Sequence, residues 1–323
     1  MSSVESTGSS PSPPRRWFVV MNAGSGRHAA RRRQQLIETM LGERGHSCRV
    51  LPVRGGRQLA EAIDQQGRLA LDEDGVLVGA GGDGTLNAVA ARAHELDLPF
   101  AALPQGTFNF FGRNLGLSED LADAAVDLHD VVERRIQVGE VNGRIFLVNA
   151  SIGLYRRLLQ DREQFKRRYG RSRWVALWAG LNTLFRWHPR LGLRLVDRDG
   201  ARVEDVLTFI AGNNRLQLAQ LGLPNADCLA QGLLVGIKLP PQPLADLLRL
   251  ALRGLAGRWE NSENGVAFGF HELVIDPVSR RRRSLRVGID GEILRMAAPL
   301  HFRVSPRPLR MLLPRQCAEK LDR

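Results

Sequence analysis

The sequence predicts a two-part protein: an α/β unit on a parallel, Rossmann-like sheet, then a mainly antiparallel β unit. Three observations carry this. Apolar runs of strand length alternate with amphipathic helical patterns through the first half of the chain. From residue 139 the pattern changes to closely spaced β runs divided by turn signals. The length, 323 residues, suits about two domains of the usual ~100–200 residues each.

The elements follow in order. "RWFVVM" (16–21) reads as a buried strand; the turn "NAGSGR" (22–27) and a helix from His28 to Arg44, closed by Gly45, come next. A strand in "CRVLPV", a helix over 57–66, the strand "GVLVGA" (75–80) and a helix from Leu86 to Leu96 continue the alternation. It ends with the strand "FAALP" (100–104) and helices over 108–115 and 119–130. Short buried strands separated by helices indicate a parallel sheet covered on both faces. In "RRIQVGEVNGRIFLVNA", Asn142-Gly143 lies between two strand-like runs and marks a hairpin. Further strand pairs are expected over 191–211, about a turn from Asp197 to Gly200, at 232–239, and repeatedly after 265. Helical segments at 154–187 and 242–257 interrupt them. The expected divisions are a disordered Ser- and Pro-rich leader (1–14), an α/β domain (15–138), a β domain (139–305) and a C-terminal segment (306–323).

Hydrophobic residues make up 43% of the chain and charged residues 25%, enough for a sizeable core. The net charge is +12, from 46 basic against 34 acidic residues, and lysine occurs only at 166, 238 and 320. Such an arginine excess suits an anionic partner, nucleic acid or an acidic membrane, or else a solvated charged surface. The leader lacks the apolar run of a secretion signal. No stretch reaches the ~18 uninterrupted apolar residues of a membrane span, so a soluble or peripheral protein is expected. The cysteines, Cys48, Cys228 and Cys317, are scattered and odd in number, which fits a reducing cytoplasm. No Cys/His pair has zinc-ligand spacing.

Three turns follow predicted parallel strands, at the sheet edge where α/β proteins bind ligands. In the first, Gly24 and Gly26 would let backbone approach an anion at a helix start, with Asn22 and Ser25 as donors and Arg27 as charge. An ordinary strand-to-helix turn is the other reading. The chain has neither a P-loop nor a complete dinucleotide fingerprint. The second turn, "GAGGDGT", sets Gly79, Gly81, Gly82 and Gly84 around Asp83. A tight turn needs one or two glycines; four suggest that a ligand fills the space of the missing side chains. Asp83 suits ribose hydroxyls or a metal–phosphate assembly, and Thr85 suits phosphate or a helix cap. The third turn, "PQGTFNFFGRNLG" (104–116), offers Gly106, Thr107 and Asn109 at the same edge. Far along the β half, "VGIDGEIL" (287–294) puts Asp290-Gly291-Glu292 on a hairpin turn, where a carboxylate could accept a proton from a substrate hydroxyl.

Together, in this order, "NAGSG", "GGDGTLN", "PQGTFNFFGRNLG" and "IDGE" resemble the diacylglycerol kinase catalytic family, which includes bacterial lipid kinases and the sphingosine and ceramide kinases. The resemblance runs from about Arg15 to Pro314. "GGDGT" by itself is shared with NAD kinases and 6-phosphofructokinases; the third and fourth motifs narrow the choice. The resemblance implies an ATP-binding kinase domain, a carboxyl-terminal lipid-kinase β-sandwich, and a last segment, "PLRMLLP", that returns to the first domain. It implies that Asn22, Ser25, Gly26, Gly82, Asp83, Gly84 and Thr85 contact phosphate, with Asp83 reaching Mg²⁺ through ATP. Gly81, Gly106, Thr107 and Asn109 would line the nucleotide site. Asp290 would be the general base and Glu292 would assist at nucleotide or metal.

Three departures from the family's pattern are Phe110 after Asn109, Ala88 after Asn87, and Ala230-Gln231-Gly232 where some members hold a structural Mg²⁺. Asp227 is the one carboxylate near that last stretch. The implied activity is ATP-dependent phosphorylation of a lipid hydroxyl, with a diacylglycerol giving phosphatidic acid. A sphingoid or other lipid, an NAD-type substrate, or a catalytically degenerate membrane- or nucleic-acid-binding protein are the alternatives. No nucleic-acid partner is expected on the leading reading. Residues 162–190 mix arginines with Phe165, Tyr169, Trp174, Trp178, Phe185 and Trp187. Such a mixture suits transient contact with an anionic bilayer, here the inner face of the cytoplasmic membrane, or packing on the sandwich. Residues 244–259 form a second amphipathic candidate.

Overall fold

The structure, a computed structural model, describes residues 15–24, 27–106, 108–153, 191–197, 200–220, 227–241, 243, 246, 266–279 and 283–321. The chain divides into two compact units, Met1–Ile136 with Leu309–Arg323, and Gln137–Pro308.

In the first unit, β1 (Arg16–Asn22), α1 (Arg27–Gly42), β2 (Ser47–Val53), α2 (Gly56–Asp72), β3 (Val76–Gly81), α3 (Asp83–Leu96) and β4 (Phe100–Pro104) alternate strictly. The short helices α4 (Phe110–Asn114) and α5 (Leu121–Asp127) precede β5 (Val131–Ile136). The sheet runs β2-β1-β3-β4, with all of these neighbours parallel. Alternate residues point to opposite faces. Trp17, Val19, Met21, Val78, Ala80 and Leu103 join Ile37 and Leu41 of α1 and Ala124 and Ala125 of α5 in one apolar cluster. Packing of α2 on β1 and of α3 on β3 covers the other face.

Two features depart from the sequence reading. Helix α2 continues past residue 66 to Asp72. Gly67 does not end it, because its bare Cα lets α3 pack close; an added Cβ would meet Arg92 Cγ and Leu96 Cδ1 at 3.2 Å each. The sheet is also not wholly parallel. A strand from the far end of the sequence, β18 (Leu309–Pro314), lies between β4 and β5, parallel to the first and antiparallel to the second. Leu309, Met311, Leu312 and Leu313 are buried there. Leu313→Ala is expected to lower unfolding free energy by about 2–5 kcal/mol, the usual range for truncating a packed leucine. Denaturant titration checks it.

The second unit is antiparallel. One six-stranded sheet has the order β10-β9-β14-β17-β6-β7, the other β13-β12-β11-β8-β15-β16. Their strands are β6 (Gly139–Val141), β7 (Arg144–Phe146), β8 (Asn149–Gly153), β9 (Leu191–Asp197), β10 (Gly200–Val206), β11 (Thr208–Gly212), β12 (Leu234–Leu239), β13 (Val266–Phe270), β14 (Glu272–Pro277), β15 (Ser284–Ile289), β16 (Glu292–Ala297) and β17 (Leu300–Val304). Asn142 and Gly143 join β6 to β7 with positive φ of 47° and 81°, the backbone that an Asn-Gly hairpin turn requires. Residues from both sheets build one core, in which Phe209 of β11 meets Phe302 of β17 edge-on at 5.4 Å. The helical segments expected at 154–187 and 242–257, and the aromatic stretch 162–190, lie outside the described residues apart from 243 and 246. Among the described residues no helix is long and apolar enough to cross a membrane.

Candidate functional site

All three glycine turns leave carboxyl ends of parallel strands in the first unit. Asn22 is the last residue of β1, Gly81 the last of β3, and Gly106 follows β4. In the first turn the Asn22 side chain works in two directions. Its Oδ1 accepts from Gly24 N at 3.1 Å, tightening a turn in which Gly24 has φ +60°. Its Nδ2 donates to Thr85 Oγ1 at 3.2 Å. Ser25 and Gly26 lie outside the described residues; Arg27 opens α1, and its side chain is likewise not described.

The second turn passes straight from β3 into α3, with Gly82 as the residue before the helix and Asp83, Gly84 and Thr85 in its first turn. Helix α3 begins three residues earlier than expected because Gly82 O accepts from both Thr85 N and Leu86 N, at 2.9 and 3.0 Å. The glycines serve different ends from the single one inferred from sequence. An added Cβ on Gly81 would lie 2.8 Å from Thr85 Cβ, and one on Gly106 would lie 2.8 Å from Gly82 Cα. Gly81 therefore accommodates the buried Thr85, and Gly82 with Gly106 lets two turns touch backbone to backbone. Gly84 alone of the four around Asp83 has nothing within 4 Å of an added Cβ. Open space for a ligand is found at that glycine, at the amino end of a 14-residue helix. Thr85, buried and bonded to Asn22, makes no helix cap.

Asp83 reaches the third turn. Its Oδ1 accepts from Phe111 N at 3.3 Å. Burial pushes the carboxyl above its ordinary range, against the amides of Phe111, Phe110 and Asn109, which pull it down. Asn109, buried and left-handed at φ +47°, closes the third turn on itself. It accepts from Gly106 N at 2.7 Å, and its Nδ2 donates to Gly106 O at 3.0 Å and Glu119 Oε1 at 3.2 Å. Thr107 lies outside the described residues. Phe110, where the family often has a carboxylate, stacks on the exposed Phe108 with ring centroids 5.7 Å apart.

A cavity of about 610 Å³ opens beside this turn, lined by Arg33, Leu36, Gln105, Gly106, Asn109 and Glu119 among others. Arg33 was not singled out in the sequence, where it stands in the basic run "ARRRQQ" and reads as surface charge. Its Nη1 donates to Gln105 Oε1 at 3.0 Å and its Nη2 to the Ala23 carbonyl. Among the described residues Arg33 Nε and Gln105 Nε2 are buried with no hydrogen-bond partner.

In the second unit Asp290 and Gly291 form the β15–β16 turn with φ of 44° and 90°. The Asp290 carboxylate accepts three backbone bonds: Oδ2 from Leu147 N at 2.7 Å, and Oδ1 from Val148 N at 2.9 Å and Asn149 N at 2.8 Å. Asp290 N donates back to Asn149 O at 3.0 Å. This carboxylate anchors its own turn to the connection between β7 and β8. Glu292, the first residue of β16, is exposed and has no hydrogen-bond or ion-pair partner among the described residues. Asp227 is exposed too, and its nearest cation is Arg215 at 4.0 Å. Among the described residues no three His, Cys, Asp or Glu side chains cluster as a metal cage.

An α/β sheet whose strand ends carry three joined, donor-rich turns presents backbone amides suited to an anionic ligand, and the chain's relatives are phosphotransferases by name. Residues 16–141 match the diacylglycerol kinase catalytic domain family. The chain is 32% identical over 277 residues to a Pseudomonas aeruginosa PAO1 protein named "Probable lipid kinase YegS-like", covering 80% of this chain and 86% of that one. It is 28% identical over 257 residues to the diacylglycerol kinase of Bacillus subtilis 168, covering 78% and 82%. A crystal structure of a diacylglycerol kinase from Bacillus anthracis shares the fold with a TM-score of 0.64 at 16% identity, covering 94% of this chain and 98% of that one. The chain belongs to the diacylglycerol kinase family of lipid kinases.

Proposed function

We propose that the protein transfers the γ-phosphoryl group of ATP to a membrane-lipid hydroxyl, with diacylglycerol as the acceptor and phosphatidic acid and ADP as products. The single observation that carries this reading is the joined edge of three glycine turns in a chain of lipid-kinase kinship. On it, Asn22, Ser25, Gly26, Arg27, Gly81, Gly82, Gly84, Thr85, Gly106, Thr107 and Asn109 form the ATP site, within an ATP-binding domain of residues 15–138 and the segment 306–323. The backbone amides at the start of α3, beside the open space at Gly84, suit phosphate oxygens.

Asp83 is the carboxylate at the start of α3, and one carboxylate plus substrate phosphates is a usual way for a protein to hold Mg²⁺. Asp83 would hold the ion there together with ATP, and the chemistry the ion would supply is neutralisation of charge on the transferring phosphoryl group. Asp83 also orders the third turn through the Phe111 amide.

Transfer forms a bond from the lipid oxygen to the γ-phosphorus and breaks the bond to the oxygen that leaves with ADP. The hydroxyl proton needs an acceptor. Of the two carboxylates on the β15–β16 turn, Glu292 is exposed and unbonded among the described residues, whereas Asp290 is held by three amides. We assign the proton to Glu292 and a positioning role to Asp290, the reverse of the order the resemblance implied. The lipid is met at the anionic inner face of the cytoplasmic membrane, which the net charge of +12 favours.

The test is radiolabelled ATP and Mg²⁺ with the purified protein and mixed vesicles, in separate arms carrying diacylglycerol, sphingosine or ceramide, and a soluble arm with NAD. Labelled phosphatidic acid is the expected product. Label in the NAD arm alone, or in no arm, overturns the reading.

A further inference from the structure

The three turns are tied to one another in pairs. Asn22 joins the first to the second through Thr85 Oγ1. Gln105 N, donating to Gly81 O at 2.8 Å, joins the third to the second, as does Asp83 through Phe111 N. The remaining pair, first with third, is joined among the described residues by the side chain of Arg33 of α1. Its guanidinium holds the Ala23 carbonyl, just before Gly24, and Gln105 Oε1, just before Gly106.

We propose that Arg33 is a positioning residue for ATP: it fixes the separation of the first and third turns and supplies a positive charge to the phosphates they bind. The inference rests on the kinase reading above. Two further observations support it. The guanidinium is partly buried, yet among the described residues it has no carboxylate partner; its acceptors there, Gln105 Oε1 and the Ala23 carbonyl, are neutral oxygens. A charge removed from water without a counter-charge is costly, and an arriving anion relieves that cost. Glu119 and Asp120, the carboxylates in the same cavity, are otherwise engaged. Glu119 accepts from Asn109, and Asp120 accepts from Ala122 N and Asp123 N.

The second observation is the pair of orphan donors. Buried donors without acceptors are uncommon in native proteins and each calls for an explanation. Among the described residues Arg33 Nε and Gln105 Nε2 are two of them, on the two residues of one bridge, at the wall of one cavity. Phosphate oxygens carry acceptors in the number and charge that such a bridge lacks.

The experiment measures ATP affinity directly, by calorimetry with Mg²⁺ and ATP, alongside steady-state kinetics and thermal melting. Arg33→Met keeps the aliphatic stem and removes all donors; Arg33→Lys keeps charge but cannot span two acceptors with a planar fork. Arg33→Met is expected to raise Kd and KM for ATP by about tenfold or more, with kcat changing less than about threefold. Arg33→Lys should fall between it and the wild type. Gln105→Leu, which cuts the same bridge from the other end, should weaken ATP, and adding it to Arg33→Lys should cost less than the sum of the two. Equal ATP affinity in wild type, Arg33→Lys and Gln105→Leu overturns the proposal even if Arg33→Met fails to fold. A wild type that binds no ATP overturns the kinase reading and this inference with it. A wild type that binds ATP beside unaffected variants overturns this inference alone.

Discussion

Asp83→Asn is expected to lower lipid phosphorylation by about a hundredfold or more while leaving the protein as stable as before, or more so. The argument starts from burial, which raises the Asp83 carboxyl above its ordinary 3.8. A group whose folded pKa is raised stabilises the fold fully only below its unfolded value, and that contribution is lost as pH climbs through the folded one. At neutral pH the ionised carboxylate therefore subtracts from stability. Asparagine removes the charge, and its oxygen can still accept from Phe111 N. The melting temperature of the variant relative to wild type should then rise as pH goes from about 3 to 7, the direction linkage requires. Activity should be lost throughout. A variant that turns over normally would remove Asp83 from the site, and one that melts far below wild type at neutral pH would make it a structural residue.

Glu292→Gln and Asp290→Asn are expected to fail in different ways. Glu292 is exposed and unbonded among the described residues, so its amide should leave stability within about 0.5 kcal/mol of wild type. Losing a proton acceptor costs about 10²–10⁴-fold in rate, and this should be seen in kcat with KM for ATP unchanged. Asp290→Asn instead turns an NH₂ group toward one of the three amides that the carboxylate holds. A buried donor left unpaired costs about 1–3 kcal/mol, so this variant should melt earlier and lose activity with its turn. Full activity in Glu292→Gln, beside an inactive but normally stable Asp290→Asn, would return the proton to Asp290.

The alternation of the first unit was legible because each parallel strand is buried on both faces and so appears as an unbroken apolar run, as in Val76–Gly81. The Asn142-Gly143 hairpin was legible because few residue pairs tolerate two positive φ angles in succession. Strand neighbours were harder. Nothing local to "LRMLLP" says that it lies beside β4, to which it is joined by a single register pair, Met311 with Phe100. The glycine turns were found, but their purpose was only partly readable: a sequence records that a side chain is missing, not which neighbour occupies the space. At Gly81 that neighbour is Thr85, and at Gly82 it is Gly106. Arg33 escaped notice because a helix bearing several arginines does not reveal which one turns inward. The amide clamp on Asp290 comes from residues more than 140 positions away, beyond the reach of any local pattern.

The place of β18 has a consequence for biosynthesis. Translation delivers β1 through β5 early, but a slot in their sheet stays empty until the ribosome has passed residue 314. Amino-terminal domains commonly fold while the rest of the chain is still being made; here the strand that pairs with β4 and β5 is made only after the strands of the second unit. Messages cut short anywhere within the second unit would yield a first unit without β18. Nascent chains of this protein should therefore need chaperone cover for longer than their domain size alone would suggest.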